Sequence, residues 1–122
     1  MEWEVSTRRN SKRGGTAEAE AEQEDVAAYV TLLEKKGPTL PLPYSSDVRG
    51  ARHSHMRELR VQHKGRPYRV LYAFDPRRAA ILLIGGDKTG DERWYEVNVP
   101  LADRIYDRHV AALEKESLIE DG

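Results

Sequence analysis

Two turn sequences set close together constrain this chain more than any other feature. Lys64-Gly65-Arg66-Pro67 and Asp75-Pro76-Arg77-Arg78 pair glycine or proline with polar neighbours, a composition that reverses a chain. Only a strand's length of sequence separates them, so the flanking segments are expected to run as consecutive antiparallel strands. Met56–Val61 places Leu59 and Val61 on one face and Glu58 and Arg60 on the other. Tyr68–Phe74 sets Tyr68, Val70, Tyr72 and Phe74 against Arg69, Leu71 and Ala73. Ala79–Ile84 is apolar throughout and is expected in the middle of the sheet. A symmetric first hairpin puts Val61 opposite Tyr68, Arg60 opposite Arg69 and Leu59 opposite Val70. The apolar side chains then meet on one side, which supports that register.

The rest of the chain supplies helices and irregular connections. Glu2–Val5 reads as a short first strand. Residues 6–24 hold almost no apolar side chain and are expected to be irregular or disordered, although the Ala/Glu block from Ala17 to Asp25 has high helix propensity. Val26, Tyr29, Val30 and Leu33 follow at helical spacing, and Gly37-Pro38 ends that helix. Thr39–Asp47 reads as an extended connection. Pro100 suits the first turn of a last helix carrying Leu101, Ile105, Val110 and Leu113, and residues 116–122 read as a tail. The expectation is one α+β domain over residues 1–122: a curved antiparallel sheet of about four strands with helices packed on one face. With 122 residues, no cysteine, no membrane-length apolar run and an acidic N-terminus unlike a signal peptide, a cytoplasmic protein is expected, without disulfides, thiolate catalysis or Cys-based zinc sites.

A formal net charge of -1 hides an acidic block at Ala17–Asp25 and a basic stretch at Arg49–Arg69. Arg60 and Arg69, directly opposite each other, would destabilise a sheet unless something negative lies between them. A phosphate is one candidate; forks that splay into solvent, with Glu58 as counter-ion, are the other. In the second hairpin Gly85 is expected beside Arg69, where Gly85-Gly86 lets a ligand come close. Lys88, Arg93, Trp94 and Tyr95 follow. With Arg57, Lys64 and Arg66 they form a basic and aromatic set suited to RNA, in which cations hold phosphates and rings stack on bases. Trp94 and Tyr95 have core packing as the competing reading. His53, His55 and His63 lack the carboxylates of a metal site, so neither metal nor cofactor is expected. His55 is a candidate proton carrier, since imidazole titrates near neutrality.

Gly50-Ala51-Arg52-His53-Ser54-His55-Met56-Arg57-Glu58-Leu59-Arg60, Tyr68–Asp75 and Ile81–Lys88, with the helix exit Gly37-Pro38-Thr39-Leu40, together resemble the phage-derived HigB-like (Gp49-like) toxins of the RelE/ParE superfamily. The resemblance runs from about Val26 to Lys115. It implies a RelE-like fold and a toxin of a type II toxin-antitoxin system. As in the superfamily's ribonuclease members, the activity it implies is that of a metal-independent endoribonuclease (an mRNA interferase) that cuts messenger RNA on the ribosome and inhibits translation. It implies that Arg69 holds the scissile phosphate with Arg60 beside it, and that Lys88 or Arg93, and Tyr95, follow the last strand. Where RelE has lysines before the strand-closing arginine, this chain has Met56 and Glu58. The implied partner is a helix-turn-helix antitoxin covering the basic face, with operator DNA met only through that complex. The same superfamily offers two alternatives: a non-catalytic, gyrase-binding toxin of the ParE type, and an inactive degenerate toxin.

Overall fold

The computed structural model describes residues 3–7, 17–53 and 55–116. The loop expected over residues 8–16 and most of the tail fall outside them. Five strands, β1 (Val5–Thr7), β2 (Ser45–Asp47), β3 (Arg57–His63), β4 (Arg66–Phe74) and β5 (Ala80–Asp87), form one sheet in the order β1-β5-β4-β3-β2. Helix α1 (Ala17–Lys36) ends in a 3-10 turn at Gly37–Thr39, and α2 (Trp94–Lys115) closes the fold. None of the described helices is long and apolar enough to cross a membrane.

The first hairpin has the expected register: Leu59 pairs with Val70, Arg60 with Arg69 and Val61 with Tyr68. The α+β class also holds, with three differences of detail. The sheet is mixed, because β1 pairs with β5 in parallel, with α1 and strands β2 to β4 lying between them in the chain. It has five strands, because Ser45–Asp47 adds an edge strand beside Arg57–Leu59 where the sequence shows only polar residues after two prolines. Its two faces are each covered by a helix. Leu59, Val61, Val70, Tyr72 and Ala80 pack with Leu33 and, less buried, Val26, Tyr29 and Val30 of α1. Leu71, Ala73, Ile81 and Leu83 pack with Trp94, Val99, Ala102 and Tyr106 of α2. The apolar run in β5 and the small and branched residues at alternate positions of β4 make this double cover possible, since neither strand has a polar face to present to water.

Two further expectations change. The residues from Ala17 onward join α1 instead of an irregular stretch, as their alanines and glutamates favour. Helix α2 begins at Trp94, so Pro100 lies inside it. Pro100 is exposed, so its ring meets solvent and not the core. Gly37 stops α1 as expected and does more: at φ +57 its bare α-carbon lies against the indole of Trp3, where an added β-carbon would come within 2.4 Å.

The turn between β4 and β5 is built around Asp75, whose carboxylate is fully buried. It accepts hydrogen bonds from the amides of Arg77 (2.9 Å) and Ala79 (3.1 Å) and from the Arg77 guanidinium. It also pairs with His109 Nε2 of α2 at 2.8 Å. Burial pushes this carboxyl up, but His109, the Ala79 amide and Arg77 together hold it below its ordinary value of 3.8. A folded-state value below the unfolded one gives stability that is present above about pH 4 and lost as pH falls through the folded value. Asp75→Asn is therefore expected to lower stability at neutral pH by about 2–4 kcal/mol and to flatten the acid side of a melting-temperature profile. Thermal melts of both proteins from pH 7 to pH 3 check this.

Candidate functional site

The face of the sheet that carries α2 changes character along its length. Strand alternation puts Glu58 and Arg60 of β3, with Met56 just before it, on that face, together with Arg69, Leu71 and Ala73 of β4. Met56, Leu71 and Ala73 belong to the apolar cluster under α2. Beyond them, at the first turn of the helix, lie the polar residues.

Glu58 is the centre of that polar group. Its residue is only 5% exposed. Tyr95 donates its hydroxyl to Glu58 Oε1 at 2.5 Å, and Ser46 of β2 donates to Oε2 at 2.7 Å. Arg60 Nη1 reaches Oε2 at 3.4 Å, and Arg69 Nε stands 3.6 Å from Oε1. Arg69 is 4% exposed. Its Nη1 donates to the Tyr68 carbonyl at 3.2 Å, while its Nε has no hydrogen-bond partner among the described residues. Arg60 is the open part of the group, with 37% of its side chain exposed. Lys88 reaches over the Tyr95 ring, its Nζ 5.6 Å from the centroid.

Three cations against one carboxylate leave this corner positive, with a buried guanidinium nitrogen unmatched. Burial first, then the hydrogen bond to Glu58 and that group's charge, raise the Tyr95 hydroxyl above its ordinary 10.0, with Arg69 pulling the other way. Tyr95 is therefore a proton donor at neutral pH. The group can accept an anion at its arginines, take a proton at Glu58 and give one from Tyr95.

The structure thus brings together Arg60, Arg69, Tyr95 and Lys88, with Trp94 packed beside Tyr95 at 5.2 Å between ring centroids but buried, and leaves the other expected residues separate or engaged elsewhere. Trp94 is 4% exposed and packs in the α2 core, so its indole is not free to stack on a base. Gly86, and not Gly85, lies beside Arg69. The register slips by one at Leu71/Tyr72, leaving Leu83 as the extra residue of a bulge. The space that Gly86 opens is filled by Trp94, whose Nε1 would lie 3.0 Å from an added β-carbon. Arg57 is occupied at the edge of the sheet by Ser45 Oγ (3.0 Å), Asp47 Oδ1 (2.5 Å) and the Leu40 carbonyl (3.3 Å). Lys64 is at the hairpin tip with φ 52. Arg66 pairs with Asp87 at 3.4 Å, and Arg93 with Glu96 at 2.9 Å.

His55 stands apart. Its Nε2 is 3.4 Å from the hydroxyl of Tyr106, which donates to the Phe74 carbonyl. Phe74 is five positions along β4 from Arg69, about 16 Å in a strand. Partial desolvation, then the neighbouring His53, lower the His55 imidazole from its usual 6.5. The loop that carries it is tied to α2 by Asp103, which accepts the Arg52 and His53 amides, and by Asp107, which binds both side chains. His63 is buried at the far end of β3 against Asp25 of α1, at 2.5 Å. Among the described residues no cluster of histidines and carboxylates is arranged to hold a metal ion.

Sequence reasoning gave Glu58 no chemistry beyond a counter-ion and missed Ser46 entirely. The signal for Glu58 was present: alternation puts it on the same face as Arg60, between two arginines. Ser46 gave none, because the strand that carries it is three residues long.

Residues 17–107 match the family described as phage derived protein Gp49-like. The chain is 43% identical over 91 residues to HigB2 of Mycobacterium tuberculosis, covering 73% of this chain and 45% of that protein. It is 44% identical over 88 residues to HigB3 of the same organism, covering 71% of this chain and 75% of that one. Both relatives carry the word toxin in their names. The chain thus spans less than half the length of the first and three quarters of the second. No solved structure matches it.

The contact between Gly86 and Trp94 is tight enough to test. With the indole buried and unable to retreat, Gly86→Ala is expected to cost about 1–3 kcal/mol and to shift the tryptophan emission. Denaturant titration followed by fluorescence checks both.

Proposed function

The chain belongs to the phage-derived Gp49-like family, and on that premise we propose that it is the toxin of a toxin-antitoxin pair, acting as an endoribonuclease on messenger RNA at the ribosome. The observation that supports this most is a carboxylate, two arginines and a protonated tyrosine meeting at one corner of the sheet: Glu58, Arg60, Arg69 and Tyr95.

RNA cleavage without a metal needs a base for the 2′-hydroxyl, cations for the charged phosphorane and an acid for the departing 5′-oxygen. Glu58 is the base in this reading, in place of the lysines of RelE. Arg69 and Arg60 hold the phosphate oxygens, and Tyr95 supplies the proton. The 2′-oxygen bonds to phosphorus as the P–O5′ bond breaks, leaving a 2′,3′-cyclic phosphate and a 5′-hydroxyl. Arg60, the exposed member, meets the phosphate first. Tyr95 then turns off Glu58 to open the way to Arg69, with the ribosome holding the message in place. Lys88 lies beside Tyr95 for a neighbouring phosphate, while Lys64 and Arg66 at the hairpin tip are positioned for more distant backbone contacts.

A second reading is favoured by the burial of the same group. Glu58 already balances Arg69, and Tyr95 covers both, which is also what a purely structural network looks like. A toxin of this kind would act by protein contact, as gyrase-binding relatives of the superfamily do, or would be inactive.

Isosteric substitutions separate the two. With purified ribosomes and message, Glu58→Gln and Arg69→Gln are each expected to slow cleavage by about 10²–10³ while both variants still melt cooperatively. Arg49→Ala, at an exposed arginine outside the group, should cut at the parental rate. Intact message in the presence of the parent protein would overturn the nuclease reading in favour of the second.

A further inference from the structure

The basic stretch from Arg49 to Arg69 was expected to be open to an acidic partner, but most of its arginines have carboxylate partners within the chain, two of them sharing Glu58. Arg52 pairs with Asp107, Arg57 with Asp47, Arg60 and Arg69 with Glu58, and Arg66 with Asp87. Elsewhere Arg77 pairs with Asp75 and Arg93 with Glu96, while Arg78 lies over the Trp3 ring. Among the described arginines Arg49, Arg104 and Arg108 have neither an ion pair nor an aromatic ring beneath them. Two of these three stand four apart on the exposed side of α2, where like charges repel and weaken the helix.

The same side of α2 carries an apolar pair. Val97 is 51% exposed and Leu101 37%, with exposed Pro100 between them. They are surplus to folding: Trp94, Val99, Ala102, Tyr106 and Leu113 already form the buried face of this helix. Val97, Leu101, Arg104 and Arg108 are spaced by four, three and four, which makes one stripe along a helix and matches the seam by which two helices pack. Arginines alone would suit RNA; an apolar half in the same stripe suits protein.

We infer that this stripe is a docking surface for an amphipathic helix of the antitoxin, one that sets apolar side chains on Val97 and Leu101 and carboxylates on Arg104 and Arg108. The inference rests on the toxin-antitoxin reading and moves the partner from the strand face to α2. The carboxylates relieve the repulsion between the two arginines and steer the encounter. The apolar half excludes water and sets the lifetime of the complex.

The test is the full chain co-expressed and co-purified with the product of the gene next to its own, followed by surface binding kinetics at several salt concentrations. Arg104→Glu/Arg108→Glu is expected to slow association by about tenfold and to reduce its salt dependence. Val97→Ser/Leu101→Ser is expected to speed dissociation by about tenfold. Lys36→Glu changes charge on α1, over the opposite face of the sheet, and should leave both rates alone. If the parent forms the complex and both stripe variants bind like it, the surface is elsewhere while the antitoxin reading stands. If the stripe variants keep the antitoxin but lose ribosome association, the stripe is an RNA contact and the inference is wrong. If the parent forms no complex with the neighbour, the inference and the reading beneath it fall together.

Discussion

The carboxylate of Glu58 lies among two guanidiniums, a phenol and a serine hydroxyl, and these come from four different elements. Arg60 shares its own strand, Arg69 comes from β4, Ser46 from the edge strand β2 and Tyr95 from the first turn of α2. A carboxylate this deeply buried would cost several kcal/mol if it stood alone. Equally, Arg60 opposite Arg69 would push the central hairpin apart without it. Each charge is tolerable only because of the other, and the pairing fixes how β2, β3, β4 and α2 sit together at that corner. Removing Glu58 leaves the buried Arg69 without its counter-ion.

The same logic governs charge elsewhere in the chain. Carboxylates from outside the basic stretch, at Asp87 and Asp107, reach back to it and neutralise its arginines. Asp75 gathers two amides, an arginine and a histidine at the opposite end of β4. The central strand thus has a buried acid beside its middle and another at its end, and both acids reach α2, at Tyr95 and at His109. Helix α2 is clamped at two points along its length, which leaves its outer side free of structural duty.

What the sequence made legible was local and periodic. Tight turns and two-residue alternation located β3, β4 and β5 and gave the Arg60–Arg69 pairing, because side-chain parity admits no slip of one residue. The α1 stop at Gly37 was legible for a similar reason, a backbone geometry that few residues adopt. What could not be read depended on distant contacts. The bulge at Leu83 leaves no mark in a run of apolar residues, so Gly85 was expected where Gly86 lies. Strand β2 has no apolar pattern and exists through Arg57 and Ser45. The double cover of the sheet needs knowledge of where both helices fall. At the candidate site, Arg60, Arg69 and Tyr95 were legible from register and order. His55 was misplaced, and Trp94 took the core packing that was its competing reading, because composition says that a histidine or tryptophan is near, and not which way it faces.

The parallel pairing of β1 with β5 has a temporal consequence. A ribosome releases Val5–Thr7 early, yet their partners Ala80–Leu82 emerge only after most of the chain has been made. The first strand waits without a neighbour through synthesis of α1 and of the central hairpin, and the native sheet cannot close from its N-terminal end. Tyr95 emerges later still, so the polar corner around Glu58 is completed among the last events of folding. Contacts between such distant positions form slowly, and in a nascent chain Arg66 and Arg52 wait for Asp87 and Asp107 until β5 and α2 are clear of the exit tunnel.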